Sequence, residues 1–473
     1  MTEELPDWVL KYKKKGMAVE KRGNSYYLTR VTSVWDPEKK RAKKVTLEYL
    51  GRITPDGIIP PRGKNPPKIG GVMDAGNLLY ISRFSQNLES ALRECFPYHW
   101  ESILAAAALK LSYGDPLKRL KFRHDTSYSK RLWPNAALSK NSITSLLDSL
   151  GGQLSAQRKF FSIISKDDHH IAIDMSYIFS ESKNIPWLEY GYNSEDVWKP
   201  QVSILLMWGT TTHTPGFIKL LPGATHSSQA LINAVSESGI QEVIAIVDRG
   251  FWSKKNMEFL DDAGIEYIMP LRRNLPMVRY VSPSNYRNYF WYGKRLIWWR
   301  VSEWDGRRIY YYLDKEMASE EESTYLRRVD EGEYTMSQYR KVRSRFGTLT
   351  LLTDTGLSAE KVYELYKTRW EIEYAFDTLQ NTLGTDTTWM RSRNRLQGYL
   401  FIQFVALHLY SQILEHLKRK DLLKRYSVRD ILTILSKVNV VEINGKDQMG
   451  EITRQTRKVI ELLEIPITEI LGS

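Results

Sequence analysis

The order of strand-like and helix-like segments between His169 and Leu271 constrains this chain more than any other feature. Ile171–Tyr177, Val202–Trp208 and Phe217–Leu221 read as three consecutive strands. Ser228–Ser238 then reads as a helix, Glu242–Val247 as a buried strand, Ser253–Ala263 as a helix and Ile265–Leu271 as a strand. That order predicts an α/β fold, a mixed sheet with helices on its faces. A strongly aromatic, strand-like stretch from about Asn274 to Thr348 interrupts it. Helical periodicity resumes at Ser358 and runs through Tyr363–Leu383, Gln397–Leu417, Val428–Leu435 and Ile452–Leu463. No internal repeat or low-complexity tract is evident.

The segments before His169 differ in character. Residues 1–70 read as a basic β unit, with strands at Ser25–Val34 and Val45–Leu50 around the turn Asp36–Arg41. Residues 73–160 read as a helical domain: Leu78–Phe96 and Trp100–Leu111 have helical spacing, and Ser139 is placed to cap Lys140–Leu150. Such helices suit a plain bundle, and also a helix-turn-helix that reads DNA. Pro60–Pro67, with four prolines, reads as an extended linker.

Charge points to a partner. The chain carries 68 Lys+Arg against 55 Asp+Glu, a formal +13, which favours a polyanion, nucleic acid before anionic membrane. Residues 1–70 hold 16 Lys/Arg and 8 Asp/Glu, so +8 of the surplus lies there. The lone cysteine, Cys95, excludes an internal disulfide framework and Cys-rich zinc sites. The N-terminal sequence lacks the apolar stretch of a signal peptide, and runs such as Tyr399–Tyr410 are too short to span a bilayer, so the expectation is a soluble intracellular protein. No HExxH or Walker-type loop appears, which argues against a zinc hydrolase or an ATPase.

Three acids stand out by position. Asp174 lies inside the apolar strand IAIDMS, and Asp248 ends a buried strand before Arg249-Gly250. A carboxylate so placed is costly to desolvate without a compensating cation or hydrogen bonds. Either alone could simply cap a turn; a pair on neighbouring strands is harder to dismiss. Glu373 falls in a predicted helix over 359–382, where Tyr366, Arg369, Glu373 and Gln380 share an arc of roughly 60° beside the apolar stripe. An Arg–Glu pair at i,i+4 is equally readable as a solvated surface pair. Three carboxylates on a sheet-plus-helix scaffold can hold two Mg²⁺ ions for in-line phosphoryl transfer.

These segments resemble a known family. IAIDMSYIFSES around Asp174, VIAIVDRGFWSKK around Asp248 and YELYKTRWEIEYAFDTLQN around Glu373 are similar to the three motifs of DDE transposases of prokaryotic insertion sequences, in the cut-and-paste group with a Tyr-x2-Arg-x3-Glu-x6-Lys signature. The likeness covers roughly residues 165–415. It implies an RNase H-like catalytic domain over 165–273 and 349–415, with 274–348 an aromatic β insertion and 416–473 a C-terminal helical region. It also implies Asp174, Asp248 and Glu373 as catalytic residues holding two Mg²⁺ (or Mn²⁺) ions. Tyr366 and Arg369 become phosphate contacts near the cleaved DNA end. The signature's final Lys is Gln380 here, which can donate a neutral hydrogen bond but no charge, so hairpin processing is left open.

Between Tyr280 and Tyr312, 12 of 33 residues are aromatic, interleaved with basic residues such as Arg300, which are expected to bind DNA by tracking its phosphates. Aromatics are good strand formers, so most should be structural; one of Trp298 or Trp299 is expected to stack on DNA. Lys39, Lys40 and Arg41 head the expected DNA-binding surface of the N-terminal unit. The reading is therefore a nucleoid-associated cytoplasmic transposase, a homodimer when it synapses two terminal inverted repeats and joins them to target DNA, with no membrane partner. The alternatives are a decayed or domesticated DNA-binding derivative, and a free-standing nuclease on the same fold.

Overall fold

The computed structural model describes residues 5–37, 39–61, 68–190, 197–223, 228–238, 243–385 and 387–465. The expected linker Pro60–Pro67 therefore lies outside the described residues except for Pro60 and Pro61. The chain divides into two compact units, residues 1–71 with 442–447, and residues 72–441 with 448–473.

The first unit is a four-stranded antiparallel meander, β1 (Met17–Arg22), β2 (Ser25–Asp36), β3 (Arg41–Thr54) and β4 (Gly57–Ile59). Val9, Leu28 and Ile53 form its small core, ringed by Trp8, Tyr26 and Leu50. That core lies under one half of the β2–β3 hairpin. Along the other half Val34, Trp35, Leu47 and Tyr49 are exposed, on a ribbon that ends in Lys39, Lys40 and Arg41, all exposed.

The second unit begins with helices, among them α1 (Trp100–Tyr113) and α2 (Lys140–Gly152), the latter capped by Ser139 as its sequence predicts. The single helix expected over Leu78–Phe96 is two, Gly76–Ser82 and Gln86–Cys95, because the chain turns at Phe84-Ser85, where the Ser85 hydroxyl bonds the Ser82 carbonyl (2.8 Å). Then come β5 (His170–Ser180), β6 (Pro200–Gly209), β7 (Thr214–Pro222), α3 (Ser228–Ser238), β8 (Ile244–Ile246), α4 (Lys254–Asp262) and β9 (Glu266–Pro270). In space the strands lie in the order β7-β6-β5-β8-β9. β5, β6 and β7 pair antiparallel, whereas β8 runs parallel to β5 and β9 parallel to β8. This is the RNase H-like arrangement. Residues Gln201 to Gly209 of β6 are all buried, as a strand covered on both faces requires.

The insertion is built into this sheet. β10 (Asn288–Tyr292), β11 (Arg295–Trp304) and β12 (Arg307–Asp314) form an antiparallel ribbon, and β13 (Thr348–Thr353) pairs with both β12 and β9. The core sheet therefore continues into the insertion, to eleven strands among the described residues. The insertion is also not purely β: α5 (Lys315–Asp330), capped by Asp314, and α6 (Met336–Val342), opened by a Thr335/Gln338 capping box, connect β12 to β13. The region after 416 is likewise not wholly helical. Strands Asn439–Ile443 and Lys446–Met449 flank an Asn444-Gly445 turn in which both residues take positive φ.

Beyond the sheet lie α7 (Ala359–Lys367), α8 (Trp370–Asp377) and the long α9 (Arg393–Arg419). Residues Leu400 to Leu409 of α9 are buried on every side. Phe401 and Phe404 meet Phe160 and Phe161, and Phe161 meets Phe217 of β7, with ring centroids 5.0 to 6.5 Å apart. α2 and α9 touch backbone to backbone: a Cβ on Gly398 would lie 2.2 Å from the Leu147 carbonyl oxygen, and one on Gly151 1.9 Å from that of Asn394. Gly398→Ala should therefore destabilise the unit by about 1–3 kcal/mol as an overpacking change, read as a lower denaturation midpoint at unchanged m-value. An unchanged midpoint would mean the helices separate freely. No helix among the described residues is long and apolar enough to cross a membrane.

Candidate active site

Strand register brings the first two acids together. Ala172 of β5 pairs with Ile246 of β8 in a parallel ladder. Asp174 and Asp248 each lie two residues further on, so they share one face of adjacent strands at the same level. Asp174 is held within the strand, its own carboxylate accepting the Met175 N–H (2.8 Å). Asp248 leaves β8 into a short turn, where its carbonyl accepts the Phe251 N–H (2.9 Å).

Glu373 reaches the same place from α8. The single helix predicted over 359–382 is broken: α7 ends at Lys367 and α8 starts at Trp370. At the break the Thr368 hydroxyl bonds the Leu365 carbonyl (2.7 Å), and the N–H groups of Arg369 and Glu371 reach back only three residues. The helix then loosens into a π-turn over Thr378–Thr382. Arg369 thus stands at a corner, with its side chain pointing into the site.

All three carboxylates converge on this one guanidinium. Arg369 lies 3.2 Å from Asp174, 3.5 Å from Asp248 and 2.5 Å from Glu373. Its side chain is 15 % exposed. Burial disfavours its charge, but Asp174 and Asp248 outweigh this, and its pKa is held above the ordinary value. Burial also dominates at Asp174: its carboxyl is pushed up to about 6, against the lowering effects of the Met175 N–H and Arg369. Burial raises the Tyr366 phenol too, opposed by Arg369. The donor set is all oxygen, the chemistry Mg²⁺ and Mn²⁺ prefer. As the side chains stand, no three acidic, histidine or cysteine groups among the described residues are drawn together tightly enough to grip an ion; the carboxylates are arrayed around the guanidinium, which supplies the opposing charge.

The other predicted residues are spread more widely. The Gln380 amide donates to Ser176 Oγ (3.1 Å) and to the Tyr177 carbonyl (2.9 Å), which ties it to β5 just beyond Asp174. Trp298 and Trp299 are half-buried in the insertion ribbon. Trp298 lies against Tyr289 and under the Lys315 ammonium, and Trp299 is edge-on to Tyr310. The Arg300 guanidinium stacks 3.7 Å from the Tyr311 ring centre and bonds the Arg279 carbonyl. The exposed aromatics of this ribbon are instead Tyr289 and Trp291, 59 % and 62 % accessible on the outermost strand, β10. Lys39, Lys40 and Arg41 belong to the first unit.

Sequence reasoning missed Glu371. It is 7 % exposed and accepts from Trp208 Nε1 (2.9 Å), with His213 Nδ1 at 2.8 Å and the Lys418 ammonium at 3.9 Å. The hydrogen bond to Glu371 is the largest influence raising the His213 pKa. These contacts clamp the start of α8 to the end of β6 and the turn after it, and so fix the element that carries Glu373. Nothing local in the sequence separates Glu371 from the exposed acids around it.

Comparison with known proteins identifies the family to which this region belongs. A family model described as the transposase DDE domain matches residues 165–409, more than half of the chain. A solved structure described as the piggyBac transposase synaptic complex with hairpin DNA is similar over 72 % of this chain and 70 % of that one, at 12 % identity and a TM-score of 0.39. None of the curated proteins matches.

Proposed function

The chain belongs to the DDE transposase family, and on that premise we propose that it binds the terminal inverted repeats of a DNA element, cleaves DNA at the element's ends and joins the freed 3′-hydroxyls to target DNA. The observation that carries this reading is the meeting of three carboxylates, two from adjacent parallel strands and one from a helix, around a single guanidinium. Asp174 and Asp248 would hold two divalent ions, Mg²⁺ or Mn²⁺, with Glu373 completing the second site. Such ions supply activation of the attacking oxygen and stabilisation of the leaving one. In cleavage, a water oxygen bonds to phosphorus as the P–O3′ bond breaks, leaving a 3′-hydroxyl. In joining, that 3′-oxygen attacks a target phosphorus and releases a target 3′-hydroxyl. Arg369 and Tyr366 would hold the phosphate in line, which converts encounter into proximity.

The remaining regions take roles that fit their surfaces. The exposed β2–β3 ribbon with its basic tip, Lys39, Lys40 and Arg41, suits phosphate contacts at the element end. Residues 73–160 would contribute end recognition or dimer formation, and the aromatic ribbon of 274–348 a stacking surface, with Tyr289 and Trp291 joining Trp298 and Trp299 as candidates. The protein would act as a homodimer in the cytoplasm. The test is incubation of the full chain with DNA bearing the element's own ends. Nicks at those ends with Mg²⁺ or Mn²⁺ but not with a chelator are expected, followed by joined products. Binding without nicks would instead establish a non-catalytic derivative, and cutting at unrelated sequences without joining a free-standing nuclease.

A further inference from the structure

Beside the triad a cleft of about 540 Å³ opens between the end of β9, strands β12 and β13, and α7, and it reaches Asp248 and Arg369. Three acids line it, and each has a cation of its own. Asp248 lies against Arg369, Asp314 pairs with Arg295 at 2.8 Å while capping α5, and Glu321 pairs with Arg273 at 3.1 Å. Three further cations of the lining, Arg249, Arg272 and Lys367, have no hydrogen bond or ion pair from their side chains among the described residues. Arg249 and Arg272 are exposed, so solvent can answer their charge. Lys367 is half-buried, with the Tyr363 ring centre 5.2 Å from its ammonium. Burial pulls its pKa down, with Asp314 opposing and Arg295 assisting. An ammonium half withdrawn from water, whose neighbouring acid Asp314 is already paired with Arg295, is poorly compensated, and an incoming anion relieves it.

Lys367 immediately follows Tyr366, which lines the same cleft, and Arg369 lies two residues on. Gln380, by contrast, has its amide nitrogen committed to β5. We propose that Lys367, with Arg249 and Arg272, forms a phosphate-binding subsite for the DNA strand lying in this cleft. The proposal rests on the DNA-cleaving reading above. A sugar-phosphate backbone offers anions at regular spacing, which three separated cations along one cleft can track. A single small anion would use only one of them.

The experiment measures affinity for DNA carrying the element's end against salt concentration, for the full chain and for Lys367→Gln, Lys367→Arg and Arg272→Gln. Losing one phosphate contact should lower the slope of log K against log salt by about 0.9. Lys367→Gln and Arg272→Gln are each expected to show that drop, with weaker binding at all DNA sequences, and Lys367→Arg to restore the original slope. Arg272 is exposed, so its variant reports on the cleft without disturbing the packing around α7. Unchanged slopes in Lys367→Gln and Arg272→Gln, beside salt-dependent binding by the parent chain, would overturn the subsite alone. A parent chain that binds no DNA end at any salt would overturn the transposase reading and the subsite with it.

Discussion

Asp174→Ala, Asp248→Ala and Glu373→Ala are each expected to lower Mg²⁺-dependent cleavage of the element's ends by roughly 10³-fold or more, while binding to the same DNA persists. A divalent ion contributes several kcal/mol of transition-state stabilisation, and each 1.36 kcal/mol is tenfold in rate. No neighbour can take over. Ile173 and Met175 face the opposite side of β5 from Asp174, and the residue after Asp248 is Arg249. Glu371 is only two positions from Glu373, but its carboxylate is buried against Trp208 and His213. A mobility shift would report binding and a nicking assay would report chemistry. Near-parental cutting by any one variant would remove that residue from the site.

Sequence pattern reached the strand order because it depends on local period. Each strand of the core is a short apolar run, and the helices between them carry their own spacing and caps. It could not show that Asp174 and Asp248 stand level. That follows from the Ala172–Ile246 register, a pairing between segments more than seventy residues apart. The break between α7 and α8 was hidden for the opposite reason. Thr368 and Arg369 are both tolerated within helices, and the corner is made by backbone turns and one hydroxyl bond. The sequence marks the insertion only as an interruption, because its attachment is the pairing of β12 with β13 and of β13 with β9, set by strands on either side of two helices. Glu371 illustrates the general limit. Its partners Trp208 and His213 come from a hairpin far away in sequence, so only the folded chain distinguishes it from a surface acid.

Arg369→Ala should separate the site's electrostatics from its chemistry. Removing one partner of a buried ion pair costs about 3–5 kcal/mol because the other charge stays behind. Here the Asp248 and Glu373 side chains are 40 % and 58 % exposed, so water screens much of their repulsion, and a loss on the order of 2 kcal/mol is the better expectation. Asp174, 25 % exposed and already raised to about 6 by burial, bears most of it. If the three carboxylates are a seat for divalent cations, that loss should be reversible by Mg²⁺. Binding to the folded state alone adds roughly 2.7 kcal/mol at a hundredfold excess over Kd. The variant's melting temperature should therefore climb with added Mg²⁺, and more steeply than the parent's, where the guanidinium already answers the same charges. Calcium, also bound by carboxylate oxygens, gives a second reading free of turnover. A variant destabilised without either ion and unmoved by both would show that the carboxylates hold an arginine and no metal.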